Sequence, residues 1–237
     1  MYHVPARTHR LRALCGALIG LLFSLACPAQ ASANDSATAS ANKSLIITGA
    51  SYAQEWKTPP LPGYTVTNMA SCGLITSEVR ARFERDVIEQ HPDTVLIWGH
   101  SNDVVRSTPE SMSATIKKAQ ENYEAMIEQA RAAGITPILA TDLTIPIPET
   151  MKEKLMSFIG SLRGKTDYRV EKNTAIKALN GWLRDYARAH DIKLLDLEKA
   201  LDSGNGTRKV EYTREDNSHI TAAGYEAITK YVITQLT

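Results

Sequence analysis

Cysteine is scarce in this 237-residue chain: Cys15, Cys27 and Cys72 are all there is. There is no H-E-x-x-H and no Cys/His cluster with ligand spacing, so no metal is expected. Phosphate-loop and dinucleotide fingerprints are missing as well, since Gly204-Asn205-Gly206 has the wrong continuation and follows no expected strand. An excess of one charge sign is lacking too. The 27 Lys and Arg are balanced by 26 Asp and Glu, which leaves no electrostatic case for nucleic acid as a partner. The longest apolar run, Ala13–Ala26, is shorter than the ~20 residues a membrane-spanning helix needs, and no later segment is long and apolar enough to serve.

The N-terminus has a composition of its own. Arg7, Arg10 and Arg12 precede the apolar run Ala13–Ala26, and Ala29-Gln30-Ala31-Ser32-Ala33 follows with small residues. This is the pattern of a cleaved secretory signal peptide over residues 1–33. The expectation is an exported protein, periplasmic or secreted, with no stable membrane insertion once the signal is removed. A lipid anchor on Cys27 competes, because Leu25-Ala26-Cys27 resembles a lipoprotein cleavage site, but Ser24 and Pro28 fit it poorly. Cleavage removes Cys15 and Cys27, so the remaining Cys72 has no disulfide partner and reads as a small packed residue. It also removes three basic residues and no acidic one, leaving roughly 200 residues of slightly acidic chain, enough for one domain with a sizeable core.

Residues 34–43, rich in Ala, Ser and Asn, read as a flexible lead-in, and the folded domain is expected over 44–237. Short apolar runs at 45–47, 64–68, 94–98, 136–140 and 192–196 suit buried strands. Between them, 77–89, 109–133, 171–190 and 221–236 carry helical spacing. Strand and helix in alternation predict a parallel five-stranded sheet in a three-layer α/β/α sandwich. Residues 145–169 break the alternation and read either as a loop shaping a binding site or as plain surface.

Ligand crevices of parallel sheets lie beyond the carboxyl ends of the strands. Ser51 follows the first strand there, Gly73 the second, and Gly99-His100-Ser101-Asn102-Asp103 the third. Ser51 is the candidate nucleophile and needs a base to take its proton. His219 is that candidate, with Asp216 three residues earlier able to orient the imidazole. The backbone N–H groups of Ser51 and Gly73, with the Asn102 side-chain amide, are candidate oxyanion donors. Taken singly, each has a plain alternative: a surface histidine, a turn carboxylate, a turn glycine. Tyr52, Glu55, Trp56 and His100 lie close enough in sequence to touch a substrate, or else serve structure.

These segments resemble the blocks of the SGNH hydrolase family, the GDSL esterases and lipases. Asn68 to Gly73 is similar to the second block, Gly99 to Asp103 to the G-x-N-D block with one extra residue, and Asp216 to His219 to the last. Thr221-Ala222-Ala223-Gly224-Tyr225 is typical of the family, and the similarity runs from about Leu45 to the C-terminus. The resemblance implies a flavodoxin-like α/β/α fold and hydrolysis of an ester or thioester without metal or organic cofactor. The substrate would be a small-molecule or polysaccharide ester. Acyl transfer to a sugar hydroxyl, or glycan binding without catalysis, would use a related site. One departure is plain: the family has Gly-Asp-Ser where this chain has Gly49-Ala50-Ser51.

Overall fold

The structure is a computed structural model and describes residues 41–147 and 168–237. The expected signal peptide, residues 34–40 of the lead-in and residues 148–167 of the irregular stretch lie outside the described residues. So do Cys15 and Cys27.

Five strands form one all-parallel sheet: β1 (Lys43–Gly49), β2 (Tyr64–Asn68), β3 (Thr94–Trp98), β4 (Thr136–Ala140) and β5 (Lys193–Leu195). Their spatial order is β2-β1-β3-β4-β5, the flavodoxin-like winding in which chain direction across the sheet reverses between β1 and β3. β1 begins one residue before the expected domain start. Every residue of β3 is buried, which is why the strand reads as a continuous apolar run rather than an alternating one.

Helices cover both faces. Leu45, Ile47, Leu96, Trp98 and Ile138 point to one side. There they meet Tyr52 and Trp56 from α1 (Ser51–Glu55) and its end, and Ile228 and Val232 from α7 (Ala222–Leu236). Ile46, Val95, Ile97 and Leu139 point to the other side. Their partners are Val79 and Phe83 of α2 (Thr76–Asp86), Tyr123 and Met126 of α4 (Met112–Ala132), and Leu183 of α5 (Tyr168–Ala189). The period-2 alternation of each strand thus feeds two separate cores. Two further short helices, α3 (Ser101–Arg106) and α6 (Leu197–Ala200), follow β3 and β5. With α1 they had no expectation in the sequence, because four to six residues are too few to display a helical period. Among the described residues no helix is long and apolar enough to cross a membrane.

The ends of β1 and β3 meet without room for side chains. Gly49 pairs with Trp98, and a Cβ on Gly49 would fall 1.7 Å from the Trp98 carbonyl oxygen. A Cβ on Gly99 would fall 2.9 Å from the Ala50 nitrogen. Both glycines have φ +144°, which L side chains rarely adopt. Substituting Gly49→Ala is expected to cost about 3 kcal/mol or more, roughly 6–12 °C in Tm for a chain of this size. Thermal unfolding followed by circular dichroism checks this.

Candidate active site

The site is assembled from loops that leave the carboxyl edge on either side of the topological switch. Ser51 is the first residue of α1, immediately after β1. Pairing of the β2 segment continues past the strand, with Met69 N–H donating to the Ile47 carbonyl (2.9 Å) and Ser71 N–H to that of Gly49 (3.1 Å). The extension carries Gly73 along beside the Ser51 turn. Arg106, at the end of α3, donates to the Gly73 carbonyl at 2.5 Å and so fixes the orientation of that peptide.

Asn102 sits in the first turn of α3. Its side-chain nitrogen donates to the Leu74 carbonyl at 2.9 Å. A primary amide has two N–H donors, so one holds the side chain against the second loop and the other stays available for a ligand. The N–H groups of Ser51 and Gly73 meet no acceptor among the described residues. Of the three expected oxyanion donors, the Ser51 and Gly73 amides are uncommitted and the Asn102 amide keeps one N–H beyond its bond to Leu74.

The base loop is built around Asp216. One carboxylate oxygen accepts the N–H groups of Ser218 and His219, each at 2.9 Å, and the other lies 2.7 Å from His219 Nδ1. These bonds to the His219 amide, its ring and the Ser218 amide hold the Asp216 pKa down at about 2. Asn217 takes the left-handed conformation, φ +57°, at the apex of the turn. From below, the Ser218 carbonyl accepts the Tyr52 hydroxyl (2.8 Å) and an Nη of Arg208 (2.6 Å). Arg208 is 2% exposed, and its guanidinium lies over the Tyr52 ring, 5.5 Å from the centroid. Burial raises the Tyr52 pKa and keeps the phenol a donor.

The Ser51 turn, α3 and the Asp216 turn border a cavity of about 480 Å³ lined by Ser51, Tyr52, Ser101, Asn102, Asp216 and Ser218, with Val105, Leu143, Ile145 and Ile176 as apolar lining; neither Gly73 nor His219 lines it. Ser51, Asn102 and Asp216 thus share one concavity, with His219 bonded to Asp216. No hydrogen bond links Ser51 Oγ to the imidazole; His219 Nε2 lies 4.0 Å from Glu55 Oε1, and Glu55 is ion-paired with Arg214 at 2.6 Å.

Other expected contacts lie elsewhere. His100 is fully buried, with Nδ1 3.3 Å from the Tyr123 hydroxyl, and burial pushes its pKa down. It faces the core and has no surface to offer a substrate. Trp56 is buried and donates to Thr229 Oγ1 at 2.9 Å, tying α1 to α7. Tyr52 borders the cavity but directs its hydroxyl to Ser218, and Glu55 faces the imidazole. Cys72, expected to be packed, is exposed, because the turn before Gly73 points it outward. Leu74, Arg106 and Arg208 were not foreseen; the first acts through a carbonyl, and the arginines bond to backbone atoms, which leaves no sequence signature. Among the described residues no cluster of His, Cys, Asp and Glu could hold a metal.

Comparison with known proteins bears on the family and the fold. The model of the GDSL-like lipase/acylhydrolase family matches residues 35–227. An uncharacterized lipoprotein of Bacillus subtilis, YqeF, is 27% identical over 164 residues, covering 67% of each chain. In fold, the chain is similar to a GDSL-like lipase from Bacteroides thetaiotaomicron, with a TM-score of 0.61 at 23% identity over 82% of this chain and 89% of that one. It is likewise similar to a catalytic mutant of an acetylxylan esterase from Geobacillus stearothermophilus, with a TM-score of 0.58 at 16% identity over 83% and 94%.

Because Asp216 is held as a carboxylate, its contribution to stability is complete above its unfolded pKa near 3.9 and is lost as pH falls through about 2. The stability difference between the native protein and Asp216→Asn is therefore expected to shrink as pH falls between roughly pH 4 and 2. Urea unfolding at a series of pH values measures it.

Proposed function

The chain belongs to the GDSL-like lipase/acylhydrolase family, whose chemistry is hydrolysis of ester bonds, and on that premise we propose that it is an exported serine esterase acting through Ser51, His219 and Asp216. The observation that carries the reading is convergence: Ser51, Asn102 and Asp216 border one cavity, with His219 bonded to Asp216 at 2.7 Å.

In the proposed reaction the ester carbonyl lies over Ser51. His219 Nε2 comes within bonding distance of Ser51 Oγ and accepts its proton as Oγ forms a bond to the acyl carbon. Asp216 holds the proton on Nδ1 and stabilises the imidazolium. The negative charge that develops on the former carbonyl oxygen is met by the N–H groups of Ser51 and Gly73 and by the free N–H of Asn102. Collapse breaks the bond to the alcohol oxygen, which leaves with the proton from His219. Water then attacks the acyl-enzyme, giving a proton to His219 and releasing the acid as Ser51 is re-protonated.

The substrate is a carboxylic ester on a small molecule or polysaccharide. A cavity of about 480 Å³ that includes Val105, Leu143, Ile145 and Ile176 in its lining supports a short acyl group. Export rests on the signal-like residues 1–33, and the lipoprotein relative supports it. The mechanism calls on no metal or organic cofactor.

Native protein is expected to release p-nitrophenol from p-nitrophenyl acetate and to be labelled at Ser51 by a fluorophosphonate, while Ser51→Ala does neither and keeps its circular dichroism spectrum. Undiminished hydrolysis by Ser51→Ala would overturn the assignment. Asn102→Ala should lower kcat by about 100 to 1000-fold. Release of acyl product onto added sugar acceptors instead of water would redefine the protein as an acyltransferase with the same nucleophile.

A further inference from the structure

We propose that Asp142 is a positioning residue for the oxyanion loop, acting on a substrate it does not touch. The inference rests on the proposed role of Asn102. Asp142 lies two residues past β4 and has no exposed surface. One carboxylate oxygen accepts the N–H groups of His100 (2.7 Å) and Ser101 (2.6 Å), and the other accepts that of Leu143 (2.9 Å).

His100 is the N-cap of α3 and provides no side-chain cap of its own. The amides at the start of α3 would thus be buried without an acceptor, a costly state. Asp142 supplies that acceptor from the loop that follows β4, and as a carboxylate it is both a strong acceptor and favourably placed against the helix dipole. Nothing on the β1 side does this: Ala50 is buried against Gly99 and carries no polar atom on its side chain.

Asp142 is itself held rigidly. The Asn180 side chain accepts from the Asp142 N–H and donates to its carbonyl, both at 2.8 Å, and donates also to Glu198 at 2.9 Å. Arg184 grips Glu198 at 2.6 Å and Asp196 at 2.7 Å. A rigid series therefore runs from α5 through Asn180 and Asp142 to the residue before Asn102. Asp142 does not line the cavity, so its influence on chemistry passes through the placement of the Asn102 amide. Misplacing a reacting group by about 1 Å can cost on the order of 100-fold in rate.

The test uses the full chain in four forms: native, Asp142→Ala, Asn102→Ala and the double variant, with Asp142→Asn as the isosteric control. Asp142→Ala is expected to lower kcat on p-nitrophenyl acetate by about 10 to 100-fold with KM changed less than about threefold, and Asp142→Asn by a smaller factor. In the Asn102→Ala background the same change should cost less than about threefold, because the group it positions is gone. Amide hydrogen exchange at His100 and Ser101 should accelerate at least ~10-fold in Asp142→Ala, a readout independent of activity. An unchanged kcat in folded Asp142→Ala, an equal loss in both backgrounds, or unchanged exchange at both amides would overturn the inference. If Asp142→Ala does not fold, the cycle and the exchange measurement are run with Asp142→Asn and judged by the same criteria. A native protein that neither hydrolyses the ester nor takes the fluorophosphonate would instead overturn the esterase reading, leaving the exchange result to judge Asp142.

Discussion

The close approach of the β1 and β3 ends sets the geometry on which the rest depends. Ala50 N–H donates to the Trp98 carbonyl at 3.3 Å, and neither position 49 nor position 99 has space for a Cβ. Two backbones this near one another must send their following loops out side by side. Ser51 and the Asn102 loop are therefore neighbours as a consequence of sheet construction. A parallel sheet whose winding reverses between these two strands leaves the crevice open above them, because the crossover connections depart to opposite faces.

Beneath that crevice, polar side chains are spent on backbone atoms. Tyr52 and Arg208 meet at the Ser218 carbonyl, Arg106 holds the Gly73 carbonyl, and Asn102 reaches the Leu74 carbonyl. Tyr225 adds a bond from its hydroxyl to the Tyr52 carbonyl at 3.0 Å, joining α7 to α1. Each loop is thus gripped by groups from another loop or helix, and few side chains at the cavity are free to relax independently. This arrangement favours preorganised donors, which act most strongly where water and reorganisation are limited. The Glu55–Arg214 pair lies at the outer side of the imidazole, where solvent reaches it.

The sheet and its long helices were legible because each carries many residues of one period: five apolar runs became five strands, and the four long helices lie within a few residues of where the spacing put them. The irregular ends were less so. α4 begins at Met112 rather than at Pro109, and α2 stops at Asp86 before a 3-10 turn takes over. Short local patterns at strand ends pointed to Ser51, Asn102 and Asp216, which line one cavity, and to His219, which is bonded to Asp216. They did not point to Arg208, since a buried arginine that bonds to a carbonyl ten residues away has no spacing to betray it. For Trp56 and His100 the structural alternative holds: proximity to Ser51 or Asn102 in sequence says nothing of direction, and both side chains turn inward.

Cys72 gives the structure a practical reach. Its thiol is exposed, one residue from Gly73, and it is the single cysteine among the described residues. A maleimide dye or nitroxide attached there would sit on the second loop, next to Gly73 yet outside the bonds that hold that loop. The molecule thus carries its own attachment point for an optical or paramagnetic reporter of what enters the crevice.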